Sequence, residues 1–273
     1  MEAMTFADEL SASPVDLTRA ALRLAKAAAY PELDIAEYLN RLSDLVASAR
    51  DFTSAAGSGV EKAEALADFL FIQQGFQGNL SQYNDPRNSY LNEVLDRRLG
   101  IPISLSVLYL AVARRLGLTA EGVGMPGHFI VAVHDPAGPV FLDPFHGGTR
   151  LSDQDCAQLV QASTGYQGPF RAEWLQTVSP VAILTRMLNN LRRIYLSQEV
   201  WEPALAVLQL MLSVQPDLPD LLRDMGTVYH RQGSLQLAID CYQRYLQRAP
   251  SNPDAAEVQT HLREAVQQLA RRN

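Results

Sequence analysis

His128 and Asp143 are the two side chains whose types and spacing offer chemistry. A histidine oriented by a carboxylate is a general base, and aimed at the start of a buried helix it can serve a nucleophile seated there. The helix dipole and the free N–H groups of the first turn lower a thiol's pKa and stabilise an oxyanion. A predicted hairpin carries both residues. Phe129, Val131 and Val133 alternate with Ile130 and Ala132, Pro136-Ala137-Gly138-Pro139 reads as a turn, and Val140–Leu142 as the returning strand. His128 opens the first strand and Asp143 closes the second, so both lie at the open end.

The helix they would face starts at Pro102 and ends before Gly117. Ile103, Leu105, Val107, Leu108, Leu110, Val112 and Leu116 surround it on nearly every side, which marks a central, buried helix. Ser104 is the nearest nucleophilic atom to its start. A serine hydroxyl is far weaker than a thiolate without a well-placed base, and on an apolar helix it usually bonds a carbonyl one turn back. Likewise, His128 can be a structural partner of Asp143.

A second polar group sits just upstream. Asp85 is placed to cap a helix with Pro86 at its first position, running to about Arg98 and stopping at Gly100. Asp85, Asn88, Ser89 and Asn92 share one turn-to-helix face; Asp85, Asn88 and Asn92 are candidate binding residues if that face turns inward. His128, Asp143 and His146 can be drawn as a metal triad, but the Asp-Pro-Phe-His spacing matches no ligand motif, so no metal and no cofactor are expected. Gly147-Gly148 lacks a phosphate-loop pattern. Cys156 and Cys241 carry no spacing signature and read as free buried thiols. Trp174 and Trp201 read as core or interface residues.

Several of these motifs, in order, carry a resemblance. Gly100-Ile101-Pro102, Ala113-Arg114-Arg115-Leu116-Gly117-Leu118, Gly127-His128-Phe129 and Phe141-Leu142-Asp143-Pro144 resemble the papain-like transglutaminase-like superfamily. Asp85 to Leu95, with Pro126-Gly127-His128-Phe129 and Asp143 to Gly148, is similar to the bacterial SirB family, in which such a domain precedes tetratricopeptide repeats. The likeness spans roughly residues 15 to 250. It implies that His128 and Asp143 match the second and third members of the superfamily's triad. The nucleophile does not match: the superfamily's spacing puts Pro102 where an active enzyme has cysteine, which implies a relic dyad.

The elements that must position these residues read as follows. Val15–Ala29, Asp34–Ala49 and Val60–Gln73 are amphipathic helical runs, with Ser54 to Gly59 as a flexible link. Tyr195 and Tyr229 recur at a period of 34, as do Ala204 and Ala238, Leu188 and Leu222, Leu212 and Leu246, and Pro216 and Pro250. That is the tetratricopeptide period. The second copy fits well through Gly226, Tyr229, Ala238, Tyr242 and Pro250; the first has Arg192 where glycine is expected. A last helix to about Leu269 has a polar outer face, as a cap requires. The linker is expected at Thr177-Val178-Ser179-Pro180, dividing the chain into 1–178 and 179–273.

Composition narrows the function classes. Hydrophobic residues are 47% and charged residues 19%, the balance of a folded globular chain. From residue 180 the ten arginines and nine acidic residues give +1, leaving −8 for the remainder, so nucleic-acid binding is disfavoured. Met1-Glu2-Ala3-Met4-Thr5 has no basic n-region, and Ile101–Ala113 is too short to cross a bilayer; a cytoplasmic address follows by default. The expected fold is α+β, a helical N-terminal section and transglutaminase-like core followed by an all-α repeat tail. The expected function is non-catalytic binding of a protein or peptide partner through the relic cleft or the repeat surface. The competing readings are an amide-directed hydrolase or acyltransferase with an unconventional nucleophile such as Ser104, and an assembly module acting through the repeats alone.

Overall fold

A computed structural model describes residues 5–136 and 138–272. Met1–Met4, at the chain's opening, and Ala137, in the expected hairpin turn, lie outside the described residues. The described residues cluster into two compact units, one from the first described residue to 26 with 30–187, the other 27–29 with 188 to the last described residue.

The first unit begins with helices α1 (Phe6–Ser11), α2 (Leu17–Ala28), α3 (Ile35–Phe52) and α4 (Gly59–Ala67), the last widening into a π-helical turn, Asp68–Gln73. Ser58 and Glu61 form a capping box that starts α4. Strand β1 (Gln77–Gly78) pairs in parallel with β2 (Leu99–Gly100), on either side of a 3₁₀ turn, Pro86–Ser89, and helix α5 (Leu91–Arg97). Helix α6 (Pro102–Arg115) follows, with every residue from Pro102 to Ala113 buried. An antiparallel sheet then forms in the order β6-β5-β4-β3-β7, from β3 (Ala120–Val123), β4 (Ile130–Asp135), β5 (Gly138–Asp143), β6 (Thr149–Leu151) and β7 (Thr177–Val178). Helix α7 (Asp153–Thr164) is started by a Ser152–Asp155 capping box. The hairpin register sets Val131 opposite Leu142 and Val133 opposite Val140. Ile130 and Ala132 therefore share a face, which packs on Cys156 and Val160 of α7; the alternate residues face the side where α6 lies.

The second unit holds the end of α8 (Pro180–Ser197), then α9 (Trp201–Val214), α10 (Pro219–Arg231), α11 (Leu235–Arg248) and α12 (Ala255–Arg272). Leu222, Ala238, Tyr242, Tyr245 and Val258 make its core. A Cβ on Gly226 would lie 2.5 Å from the Tyr242 ring, so glycine is what lets α10 and α11 cross closely. In the first repeat Arg192 takes the equivalent place and instead pairs with Asp224 of α10 at 2.5 Å. The fold is the expected α+β core with an all-helical repeat tail.

Two local expectations are corrected. The helix read over Pro86–Arg98 is broken at Tyr90, which is extended (φ −98, ψ 127). The cause is visible: the Asn88 carbonyl, which would accept the next helical bond, takes the Ser104 hydroxyl instead. The helix ends at about Arg98 as expected, but the residue that stops it is Arg98 itself in the left-handed region (φ 58) and not Gly100, because Leu99 and Gly100 are drawn into the pairing with β1. The expected linker residues Thr177 and Val178 are a sheet edge, paired with Val123 and Gly122.

Candidate functional site

Met125-Pro126-Gly127-His128 forms a turn closed by the His128 amide donating to the Met125 carbonyl at 3.3 Å. Proline second and glycine third at φ +71 are what a type II turn demands. That turn delivers His128 to the start of β4, where it is 5% exposed. At the far end of β5, Asp143 is fully buried. Its Oδ1 accepts from the Phe145 amide at 3.0 Å and so starts a short 3₁₀ turn, Pro144–His146. Its Oδ2 lies 2.8 Å from His128 Nε2, so the strand ends bring the dyad together.

A third member joins it. His146 Nδ1 is 2.7 Å from the same Asp143 oxygen, and the two imidazoles are nearly parallel at 24°. The spacing of three that fits no ligand motif in sequence is one complete 3₁₀ turn, where side chains at i and i+3 eclipse. Burial pushes the Asp143 carboxyl up, but the hydrogen bonds and positive charge offered by His128 and His146 outweigh it and hold it below the ordinary carboxylate range. Gly147 and Gly148 both adopt positive φ, and the Gly148 amide returns to the Asp143 carbonyl at 2.7 Å. A Cβ on Gly148 would meet Ala67 at 2.5 Å, so this corner is seated tightly on α4.

The start of α6 is covered. Ile101, Pro102, Ile103 and Ser104 are all buried. Phe145 lies over this region between Tyr83 and the His128 ring, with centroids 5.9 and 6.2 Å away, and its ring fills the space a side chain on Gly78 would need. Ser104 is bound inward: its hydroxyl donates to the Asn88 carbonyl at 2.5 Å and accepts from the Ile101 amide at 3.0 Å. The upstream polar group is also turned into protein. Asp85 accepts from the Arg87 amide and pairs with Arg87 and Arg97, while Asn88 is fully buried between Asn79 and the Gln82 carbonyl. Asn92 is 3% exposed.

Cys156 sits in the apolar layer between α7 and the sheet. Burial, with the charges of Asp153, Asp155 and Asp143, pushes its thiol up to about 11, the opposite of an activated thiolate.

One site residue escapes the sequence reading. Arg186 of α8 donates to the Met125 and His128 carbonyls at 2.9 and 2.7 Å, and its guanidinium lies over the Phe129 ring. It fixes the turn that aims His128. Its signal in the sequence is a cation among Ile183, Leu184, Met187 and Leu188, an otherwise apolar stripe.

Residues 36–189 match the transglutaminase-like superfamily model, and residues 191–263 a tetratricopeptide-repeat model. A UPF0162 protein of Xylella fastidiosa is 36% identical over 236 residues, covering 85% of this chain and 84% of that one. A UPF0162 protein of Pseudomonas aeruginosa is 32% identical over 267 residues, covering 96% and 94%. Human F-box only protein 21 is 30% identical over 181 residues, 62% of this chain and 28% of that protein. Among solved structures, a crystal structure of menin matches over 96% of this chain and 75% of menin, with a TM-score of 0.41 and 14% identity.

Proposed function

Since the chain belongs to the UPF0162 family, with a transglutaminase-like domain ahead of tetratricopeptide repeats, we propose that it is a non-catalytic member that holds a protein or peptide partner on its repeat surface. The observation that supports this most is the state of the helix start. Proline stands where the superfamily's thiol would be, and the nearest hydroxyl, Ser104, is bonded to backbone on both sides with no exposure. A base and its carboxylate without a nucleophile within reach do not complete an acyl-transfer site. The buried helix start also disfavours the relic cleft as a docking place.

The repeat unit offers a better surface. Asn189, Asn190, Arg193 and Leu196 of α8 and Arg223 of α10 line a groove of about 630 Å³. Arg193 and Arg231 present exposed cations. The SirB assignment, and a bacterial cytoplasmic setting, belong to the same reading.

The test is affinity capture with tagged full-length protein, identification of the partner, and repetition with the purified partner. Charge reversal at Arg193 and Arg231 is expected to abolish the interaction and His128→Ala to preserve it. The reading fails if an amide-directed electrophile labels Ser104 and the label is lost in His128→Ala, because the hydrolase or acyltransferase alternative would then hold.

A further inference from the structure

We propose that His128, Asp143 and His146 bind a divalent first-row transition ion of the zinc class. Two imidazole nitrogens and one carboxylate oxygen converge here: His128 Nε2 and His146 Nδ1 stand 2.8 and 2.7 Å from Asp143 Oδ2, and all three donor atoms lie within 4.8 Å of one another. An ion held at about 2.0–2.2 Å from nitrogen and oxygen ligands separates neighbouring donors by roughly 3–3.5 Å. The two nitrogen–oxygen pairs need to open by only a few tenths of an ångström, and the two nitrogens must draw closer. The side chain able to make that adjustment is His146, 48% exposed, while His128 and Asp143 are locked in place at 5% and 1%.

The surroundings suit such a site. Asp143 keeps its second oxygen on the Phe145 amide, which holds the carboxylate plane fixed while Oδ2 turns to the ion. Arg186, gripping the His128 carbonyl, fixes the backbone of a second ligand. Exposure at His146 supplies the entry path. The donor set excludes the hard cations, since calcium and magnesium call for oxygen shells, whereas two imidazoles and a carboxylate suit zinc, cobalt or nickel. In the ion-free form each ring donates an N–H to Asp143 Oδ2. Binding requires His128 Nε2 and His146 Nδ1 to give up the N–H that faces Asp143, the proton passing to the outer ring nitrogen or to solvent.

The experiment uses tag-free full-length protein, stripped with chelator and dialysed, then titrated with ZnCl2 by calorimetry and with CoCl2 by visible absorption. One equivalent of Zn²⁺ is expected, with a rise in Tm and, for cobalt, the ligand-field bands of a low-coordinate site. His146→Ala, which removes a half-exposed side chain and leaves the fold intact by circular dichroism, is expected to lose all three signals. Absence of a one-equivalent isotherm in the parent protein overturns the proposal. So does an isotherm unchanged in His146→Ala, which would assign the ion elsewhere, for instance to His230 and His261 of the repeat unit. Partner binding by the repeats is measured independently of either result.

Discussion

Two serines on one helix make opposite predictions and together test whether Ser104 is a brace. In Ser104→Ala the Ile101 amide loses its side-chain acceptor and the Asn88 carbonyl its hydroxyl donor, at a site with no exposure. Stranding a buried polar group costs about 1–3 kcal/mol, so the pair comes to roughly 2–6 kcal/mol. For a unit of this size that lowers Tm by roughly 4–24 °C. Ser106 lies two residues on, equally buried, but its hydroxyl has no hydrogen-bond partner among the described residues. Ser106→Ala removes an unsatisfied group and is expected to leave Tm unchanged or raise it by a few degrees. Since the two compact units can melt separately, the assay is intrinsic fluorescence in a Trp201→Phe background, where Trp174 reports the first unit. A Ser104→Ala variant as stable as its parent, or one indistinguishable from Ser106→Ala, refutes the brace.

Further predictions concern the thiol and the repeats. Cys156 is raised from 9.0 to about 11, so the unfolded chain ionises first as pH climbs; stability is intact below about 9 and declines from there toward about 11. Urea titrations at successive pH values are expected to show that slope flattened in Cys156→Ala, and a native thiol that stays unreactive to iodoacetamide at neutral pH. Fast alkylation at pH 7 would contradict it. Gly226→Ala gains about 1 kcal/mol of helix propensity but forces a methyl onto the Tyr242 ring, an overpacking cost of about 1–3 kcal/mol. The repeat unit is therefore expected to melt at lower temperature, and a rise would show that α10 and α11 separate freely.

What was legible in the sequence was whatever a short-range pattern enforces. The apolar surround of α6, the alternation of Phe129 to Val133 and the period of 34 each record burial directly, and the elements they predict are present. The dyad followed from topology, because a hairpin must bring the ends of its strands together. Breaks in regular structure were not legible, since their causes are distant. Tyr90 leaves the helix because the Ser104 hydroxyl, fourteen positions on, takes the Asn88 carbonyl, and Thr177 becomes a strand only because β3 offers an open edge. His146 was discounted for its spacing because a 3₁₀ turn, unlike an α-helix, stacks residues three apart. Arg186 acts on backbone carbonyls, and a carbonyl acceptor leaves no trace in residue type.

The histidine–aspartate pair beside a helix that begins with proline has a structural role that does not require catalysis. Asp143 holds four groups at once: the Phe145 and Gly148 amides and two imidazoles. Through them it shapes the corner that seats Phe145 against β1 and Gly148 against α4. His128 in turn satisfies a carboxylate that is fully buried, and removing one partner of such a pair strands a charge in the core at a cost of about 3–5 kcal/mol. These contacts give His128 and Asp143 a structural role whether or not the site reacts. The dyad alone cannot be read as a sign of turnover. The proposed non-catalytic reading turns on whether an atom at the helix start can attack, where Pro102 and the hydrogen-bonded hydroxyl of Ser104 stand.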